Sequence, residues 1–511
     1  MANEKKAGLL NASARDGVQY RRASLFQMIV GTAGAGTGVI FYLILGFARL
    51  IGPQGYGITT VLTGILLTAL RMVDGVSDAV VAAIFEKLNP KRGKVRIMLL
   101  VGWAVAALAS LALYGWLCGI FEGVLGVIAF SVAYILFDIG NTINGCAGGA
   151  VGIVMTNDPT QRPMTNVIGT IYSYCVPLIC TNLITFVILP RHNNQYDVPM
   201  LTETMAWFAG LSLIFTVLAC IGIAKLDVRE TFETLPKDGE DEAEKTSVKD
   251  MWSVVKDNRN VQMYMLTGIT DKLAQQTMSQ GVVSTLMSGV LIGSYAVATM
   301  SGNVTQIVSV IFAFAGGIFI AKWGSKKATS VWSGINIAMA VACVAMCVIL
   351  CMMDGGSVEG MKALGVMGAP IVIFTILGIG RTGANMVLTT AGGSMRADLV
   401  DYEYVRSGHY MPAVLAGVYS LIDKIVSSFA STIASLCIAL VGYTTTVPQM
   451  GDKATWGIFW VAMFLQFGMA IIGWICNIIA MKFYTLDRET MIDVQKTLNE
   501  RKAAHEASQA E

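Results

Sequence analysis

Charge is scarce in this sequence. Only 14% of its 511 residues are Asp, Glu, Lys or Arg, where a soluble domain carries about 25%. A single soluble core stops growing near about 250–300 residues. A chain that is 54% hydrophobic, with a mean hydropathy of +0.62, therefore cannot hide its apolar side chains from water. Histidine is rarer still: His192, His409 and His505 all fall in loops or the tail, and no HExxH or GxSxG motif stands in an apolar segment. The usual nucleophile–base and zinc sets are missing, so an enzyme is not expected. The net charge of +2 is too small to imply a nucleic-acid partner. The ten Cys form no CxxC pair. Cys343, Cys347 and Cys351 recur every four residues with no His or acid beside them, and read as small apolar helix positions rather than metal ligands. Nothing indicates a resident cofactor or an obligate protein partner.

What the chain has in quantity is long apolar runs. A membrane span needs about 20 mostly apolar residues, and twelve segments qualify: 25–48, 56–85, 97–118, 123–145, 165–190, 202–225, 261–291, 297–321, 328–352, 365–395, 413–442 and 455–482. The first 24 residues are polar and the apolar run after them is too long for a leader's core, so no cleavable leader is expected. With an even span count both termini share one side. That side collects 28 Lys and Arg, and the other holds four, Arg49, Arg191, Lys362 and Lys453. The bias places both termini in the cytoplasm of an integral plasma (inner) membrane protein. The expected organisation is a six-helix bundle (1–225), a charged cytoplasmic linker (226–260), a second six-helix bundle (261–485) and a cytoplasmic tail (486–511). This all-α layout of twelve transmembrane helices in two pseudo-symmetric halves is that of a transporter.

The few charges inside spans then need reasons, since each costs at least about 2.5–3.5 kcal/mol at the bilayer centre. Arg71, Asp74 and Asp78 are spaced i, i+3 and i+7, so they share a helix face with neighbours about 5–6 Å apart at Cβ. Two carboxylates so close repel unless a cation sits between them. The pair suits a monovalent cation, H⁺ or Na⁺, with Ser77 adding a hydroxyl oxygen; the alternative is a structural ion pair to Arg71. Lys424, beside Asp423, is placed to reach the aspartates when the cation leaves, or else pairs locally. Asp138, with Asn141, Thr142 and Asn144, makes one span polar, as a cavity wall or through packing hydrogen bonds. Asp271, Lys272 and Arg381 read equally as substrate contacts or interhelical pairs. The Gly31, Gly34, Gly36 and Gly38 run reads as close helix packing or as backbone contact with a substrate.

These residues resemble a known family. Arg71-x-x-Asp74-x-x-x-Asp78 is followed by Arg92, Lys94 and Arg96. Asp398 and Asp401 precede the span that holds Lys424. Asp138 precedes the loop with Asp158 and Arg162. Their order and spacing resemble the glycoside–pentoside–hexuronide:cation symporters, which include the melibiose carrier. The resemblance implies a major-facilitator-type fold and H⁺- or Na⁺-driven uptake of a glycoside or oligosaccharide. It implies that Asp74 and Asp78 ligate the cation (a metal site if it is Na⁺), and that Lys424 couples them to the substrate. Asp138 would accept hydrogen bonds from the sugar. Arg92, Lys94, Arg96, Asp158, Arg162, Asp398 and Asp401 would form a cytoplasmic gate or interdomain contacts. Substrate contacts are expected from Asp138, Asn141, Thr142, Lys272, Arg381 and Thr389.

The departures lie on the substrate side. The family's sugar-holding acid falls near Ala33, its arginine near Gly169, and its sugar-contacting tryptophans at Thr142 and Thr389. A threonine of the cation site falls at Ile135, which favours H⁺. The expectation is a symporter of a small polar, glycoside-like solute in a lipid bilayer. The alternative is a cation-coupled carrier of a non-sugar organic solute.

Overall fold

The computed structural model describes residues 10–11, 20–87, 90, 93–156, 161–228, 256, 258–407, 412–497 and 500. Lipid offers backbone N–H and C=O groups no partners, so apolar runs of this length are stable only as helices. Among the described residues the β-structure is one antiparallel contact, β1 (Leu10–Asn11) with β2 (Tyr20–Arg21). The chain divides into two compact units, Met1–Glu240 with Tyr443–Val447, and Asp241–Gly442 with Pro448–Glu511.

Unit 1 begins with a broken span, α1 (Leu25–Gly31) and α2 (Gly34–Tyr56). Ser24 and Gln27 cap α1 reciprocally, each side chain accepting from the other's backbone N–H. At the break the Thr32 hydroxyl donates to Met28 O at 2.7 Å. α2 ends at Gly57, whose φ of 62° lies where only glycine sits without strain. The expected end at residue 48 was too early, because Pro53 is tolerated inside the helix. Arg49, assigned above to an outer loop, is therefore inside α2. Its side chain is fully buried, and among the described residues none of its three guanidinium nitrogens has a hydrogen-bond partner.

There follow α3 (Thr60–Lys87), α4 (Val95–Leu111, continued by the π-helical turn Ala112–Trp116), α5 (Gly123–Met155), α6 (Arg162–Leu183) and α7 (Val198–Ile223). α4 and α5 pack with their backbones close. A Cβ on Gly140 would strike the Ala106 backbone, and one on Gly102 would stand 2.7 Å from Asn144 N. Polar contacts tie α2 to α7: Thr37 Oγ1 lies 2.9 Å from Thr216 Oγ1 and donates to Ser212 O at 3.1 Å. Thr60 N donates to Thr444 O at 2.8 Å, which holds the Tyr443–Val447 segment in this unit.

Unit 2 contains α8 (Arg259–Met278), the short α9 (Gly281–Ser284) with its π-helical continuation to Leu291, α10 (Tyr295–Trp323) and α11 (Ser325–Met353). α12 (Ala369–Ser407), α13 (Pro412–Leu440), α14 (Trp456–Met463) and α15 (Met469–Phe483) complete it. α12 packs on α10 and α11, and α15 on α8 and α11. Cys343, Cys347 and Cys351 are buried in α11, as apolar packing requires.

The helices fall on the twelve expected segments. Among the described residues eight are long and apolar enough to cross a membrane, nine if the bent pair Gly281–Leu291 and Tyr295–Ser309 is one span. α8, which carries Lys272, falls short of that test; in α3 and α13 the apolar stretches described are Thr60–Met72 and Lys424–Leu440. Of the expected linker, residues 229–255 and 257 lie outside the described residues.

Candidate functional site

Unit 1 holds a cavity of about 610 Å³, a volume suited to a small organic molecule. The broken first span supplies Gly31, Thr32, Gly34, Ala35 and Gly38. α5 supplies Asn144, Gly145, Gly148, Gly149, Val151 and Gly152, and α6 supplies Thr165, Gly169, Thr170 and Ser173. Among the described residues the lining contains no charged and no aromatic side chain. Its polar groups are hydroxyls, one carboxamide and backbone. Ser173 Oγ donates to Gly169 O at 3.1 Å, and Asn144 Nδ2 reaches Leu99 O at 3.4 Å. The hydroxyl oxygens keep lone pairs that accept from a solute.

The glycines of this wall differ from those that pack helices. A Cβ built on Gly38, Gly145, Gly148, Gly149, Gly152 or Gly169 would meet nothing within 4 Å. A Cβ on Gly31 would strike Met155, and one on Gly36 would stand 3.0 Å from the Phe215 ring. Gly31 and Gly36 thus serve helix packing, whereas Gly38 keeps space open. Gly145, Gly148, Gly149 and Gly152 recur at intervals of three, one and three, which puts them on one helical face. That signal was present in the sequence and was missed.

The expected site residues are distributed as follows. Arg71 is half-buried on α3 and makes no hydrogen bond or ion pair among the described residues. Asp74, Ser77 and Asp78 lie one to two turns further along α3, and their side chains are outside the described ones. Asp138 and Thr142 are buried on α5 and Asn141 is half-buried. None of these three lines the cavity, which takes only Asn144 from that segment. In unit 2, Lys424 is half-buried on α13, and the Asp423 side chain is outside the described ones. Thr389 is exposed on α12, its hydroxyl donating to Asn385 O at 3.1 Å.

Lys272 and Arg381 are half-buried without an ion pair among the described residues. The Arg381 guanidinium stands 5.6 Å from the centre of the Phe467 ring, and its Nε has no hydrogen-bond partner among the described residues. Asp271 accepts from Asn477 Nδ2, at 3.1 Å to Oδ1 and 3.0 Å to Oδ2. Among the described residues no group of three or more His, Cys, Asp or Glu is placed to hold a metal ion.

The expected gate residues that are described make contacts inside their own unit. Arg96 pairs with the buried Asp227 at 3.3 Å, and Asp227 also accepts from Arg96 N at 2.8 Å and Val95 N at 3.3 Å. A carboxylate at the first turn of α4 is favoured by the helix dipole. Asp227 was not foreseen, because it stands 131 residues from Arg96. Lys94 Nζ donates to Phe85 O at 3.2 Å and lies over the Phe85 ring. Asp398 accepts from Ser325 Oγ at 2.7 Å, and Asp401 from Gln495 Nε2 at 2.6 Å. Buried Glu403 accepts from Asn258 and pairs with Arg406 at 2.9 Å. Arg92 and Asp158 lie outside the described residues, as does the side chain of Arg162.

Two bundles of long apolar helices, one of them enclosing a neutral polar cavity, have the architecture of a polytopic membrane transporter. Residues 20–488 match the MFS/sugar transport protein family, and the chain belongs to it. The fold is of the major-facilitator type. It is similar to the nucleoside transporter NupG, with a TM-score of 0.53, 12% identity, and coverage of 90% of this chain and 99% of that one. It is also similar to a bacterial homologue of the human drug peptide transporters PepT1 and PepT2. There the TM-score is 0.57 at 11% identity, with 92% of this chain and 99% of that one covered. A bacterial homologue of the human lysosomal transporter Spinster gives a TM-score of 0.56 at 11% identity, covering 93% of this chain and 98% of that one. No curated protein matches the sequence significantly.

Proposed function

We propose that this chain is a secondary active symporter of the glycoside–pentoside–hexuronide:cation type, importing a small uncharged polar solute of glycoside class. The observation that carries this reading is the unit 1 cavity. It is large enough for a small solute, and its described residues offer hydroxyl, amide and backbone hydrogen bonds, in a chain of the MFS/sugar transport protein family. The coupling cation, H⁺ or Na⁺, is taken at Asp74 and Asp78 with Ser77. Lys424 and Arg71 compensate those carboxylates when it leaves. Moving one charge across the membrane potential supplies about 2.3 kcal/mol per 100 mV. That energy drives accumulation only if the carrier moves when both sites are filled or both empty. On this reading the protein sits in the plasma membrane with both termini cytoplasmic.

The test is a competition screen for uptake into vesicles under an imposed H⁺ or Na⁺ gradient. Glycosides should compete, and Asp78→Asn should abolish gradient-driven accumulation. Full accumulation by that variant would remove the aspartate from the coupling role. A second reading, a non-sugar organic solute, is favoured by the cavity wall, whose described residues include no aromatic platform and no charged anchor. Failure of all glycosides to compete, with the gradient still effective, would select it.

A further inference from the structure

Asp271 is a half-buried carboxylate within α8, and among the described residues its side-chain hydrogen bonds come from one donor, Asn477 Nδ2 on α15, shared between its two oxygens. No cation pairs with it among the described residues. α15 fits closely here because residue 473 is glycine: a Cβ there would stand 3.3 Å from Asp271 Oδ1. Asn477 is 1% exposed, and among the described residues its Oδ1 has no hydrogen-bond partner.

The mismatch is chemical. A carboxylate only accepts, whereas a carboxamide both donates and accepts. The anion can satisfy Nδ2 but leaves the buried Oδ1 of Asn477 without a donor. A neutral carboxylic acid has one O–H and one C=O, the complement of a primary amide. Acid and amide then close a cyclic pair, O–H donating to Oδ1 and N–H to the acid C=O. A small rotation of the Asn477 amide in its own plane connects the two arrangements.

We propose that Asp271 and Asn477 form a proton-binding site in unit 2, in which the carboxyl carries H⁺ as a neutral acid paired to the amide. The site is distinct from Asp74 and Asp78 and does not depend on which solute is carried.

The surroundings are as follows. On α8, Lys272 points about 100° round the helix from Asp271 and makes no ion pair with it. Tyr264, two turns away, accepts from Arg396 Nε of α12 at 3.0 Å. On α15 the other titratable groups are Cys476 and the exposed Lys482. α13 contributes Tyr419, which packs against Gly268, half-buried Lys424, and Asp423, whose side chain lies outside the described ones. On α12, Arg381 lies over Phe467, and Asp398 and Glu403 are engaged by Ser325 and Arg406. α9 and the Phe464–Gly468 turn carry no titratable side chain.

The test uses the full-length protein in lipid nanodiscs, without solute or gradient, read by infrared difference spectra across a pH titration. The expected result is a carboxylic-acid C=O band that persists at pH values where surface carboxylates are ionised and that is absent in Asp271→Asn. Asn477→Leu, which keeps the acid but removes its partner, should move the band to higher frequency. The proposal is overturned if Asp271→Asn leaves every acid band in place, or if Asn477→Leu leaves the band unmoved. Should Asp271→Asn fail to fold, the Asn477→Leu shift decides. Because no transport is measured, a failed uptake assay and a failed titration are separate results.

Discussion

The cavity wall of unit 1 and the seams between packed helices handle polar groups in opposite ways. The described wall is made of hydroxyls, one amide, glycines and two small apolar residues, Ala35 and Val151, and among the described residues no side chain on it carries a charge. The seams hold the ionised and ionisable groups. Asp227 lies against Arg96 and the α4 backbone, Glu403 between Asn258 and Arg406, Asp271 against Asn477, and Arg381 over Phe467. Glycine divides the same way: Gly140 lets α4 and α5 touch, while Gly148 faces open space on the same helix. Selection of the solute is thus expected from space and neutral hydrogen bonds, and stability from the seams.

The strongest attempt to break this division is Arg96→Leu. It leaves the fully buried Asp227 without its cation and should lower the unfolding free energy by about 3 kcal/mol. Equilibrium unfolding of the purified protein measures it, and an unchanged stability would mean that the backbone N–H groups of Val95 and Arg96 suffice. Next come the two glycines. Gly140→Ala drives a Cβ into the Ala106 backbone and should destabilise by about 1–3 kcal/mol. Gly148→Ala meets nothing and should stabilise by about 0.5–1 kcal/mol through the lower entropy of its unfolded chain. Equal signs in the two variants would erase the distinction between wall and seam.

Gly148→Val tests the wall by transport. It fills part of the cavity and should reduce uptake of the best solute about tenfold, with the melting temperature unchanged. A smaller competitor should be affected less. The smallest effect is expected for Thr37→Val. It removes the hydroxyl contact between α2 and α7 and should cost about 0.6 kcal/mol, as single interhelical hydrogen bonds in membranes do. Uptake should stay at the level of the unaltered protein.

The helices could be read directly from the sequence because lipid leaves an apolar run of this length no other stable form. The end of the first span could not. Gly52 and Pro53 look like a stop, yet the helix runs on to Gly57 and takes Arg49 inside with it. The glycine run was legible as a special feature but not in its meaning. Gly36 and Gly38 are two residues apart, and only their neighbours separate packing from open space: the Phe215 ring for one, nothing for the other. The polar segment Asp138, Asn141, Thr142 and Asn144 was read as a cavity wall or as packing hydrogen bonds, and of the four only Asn144 lines this cavity. The wall turned out to use the face of α5 that begins at Asn144, one to two turns further on.

The sequence by itself determined the class of solvent, the number and order of the long helices and the short list of costly charges. Hydropathy, helical spacing and the price of an intramembrane charge are local properties of a chain. Only the tertiary structure decided which partner each charge has and which glycine faces space. Asp271 and Asn477 are 206 residues apart, as are no two members of a helical repeat, and their pairing exists only because α8 packs on α15. A missing Cβ has no meaning until a neighbouring helix, or a cavity, stands where it would have been.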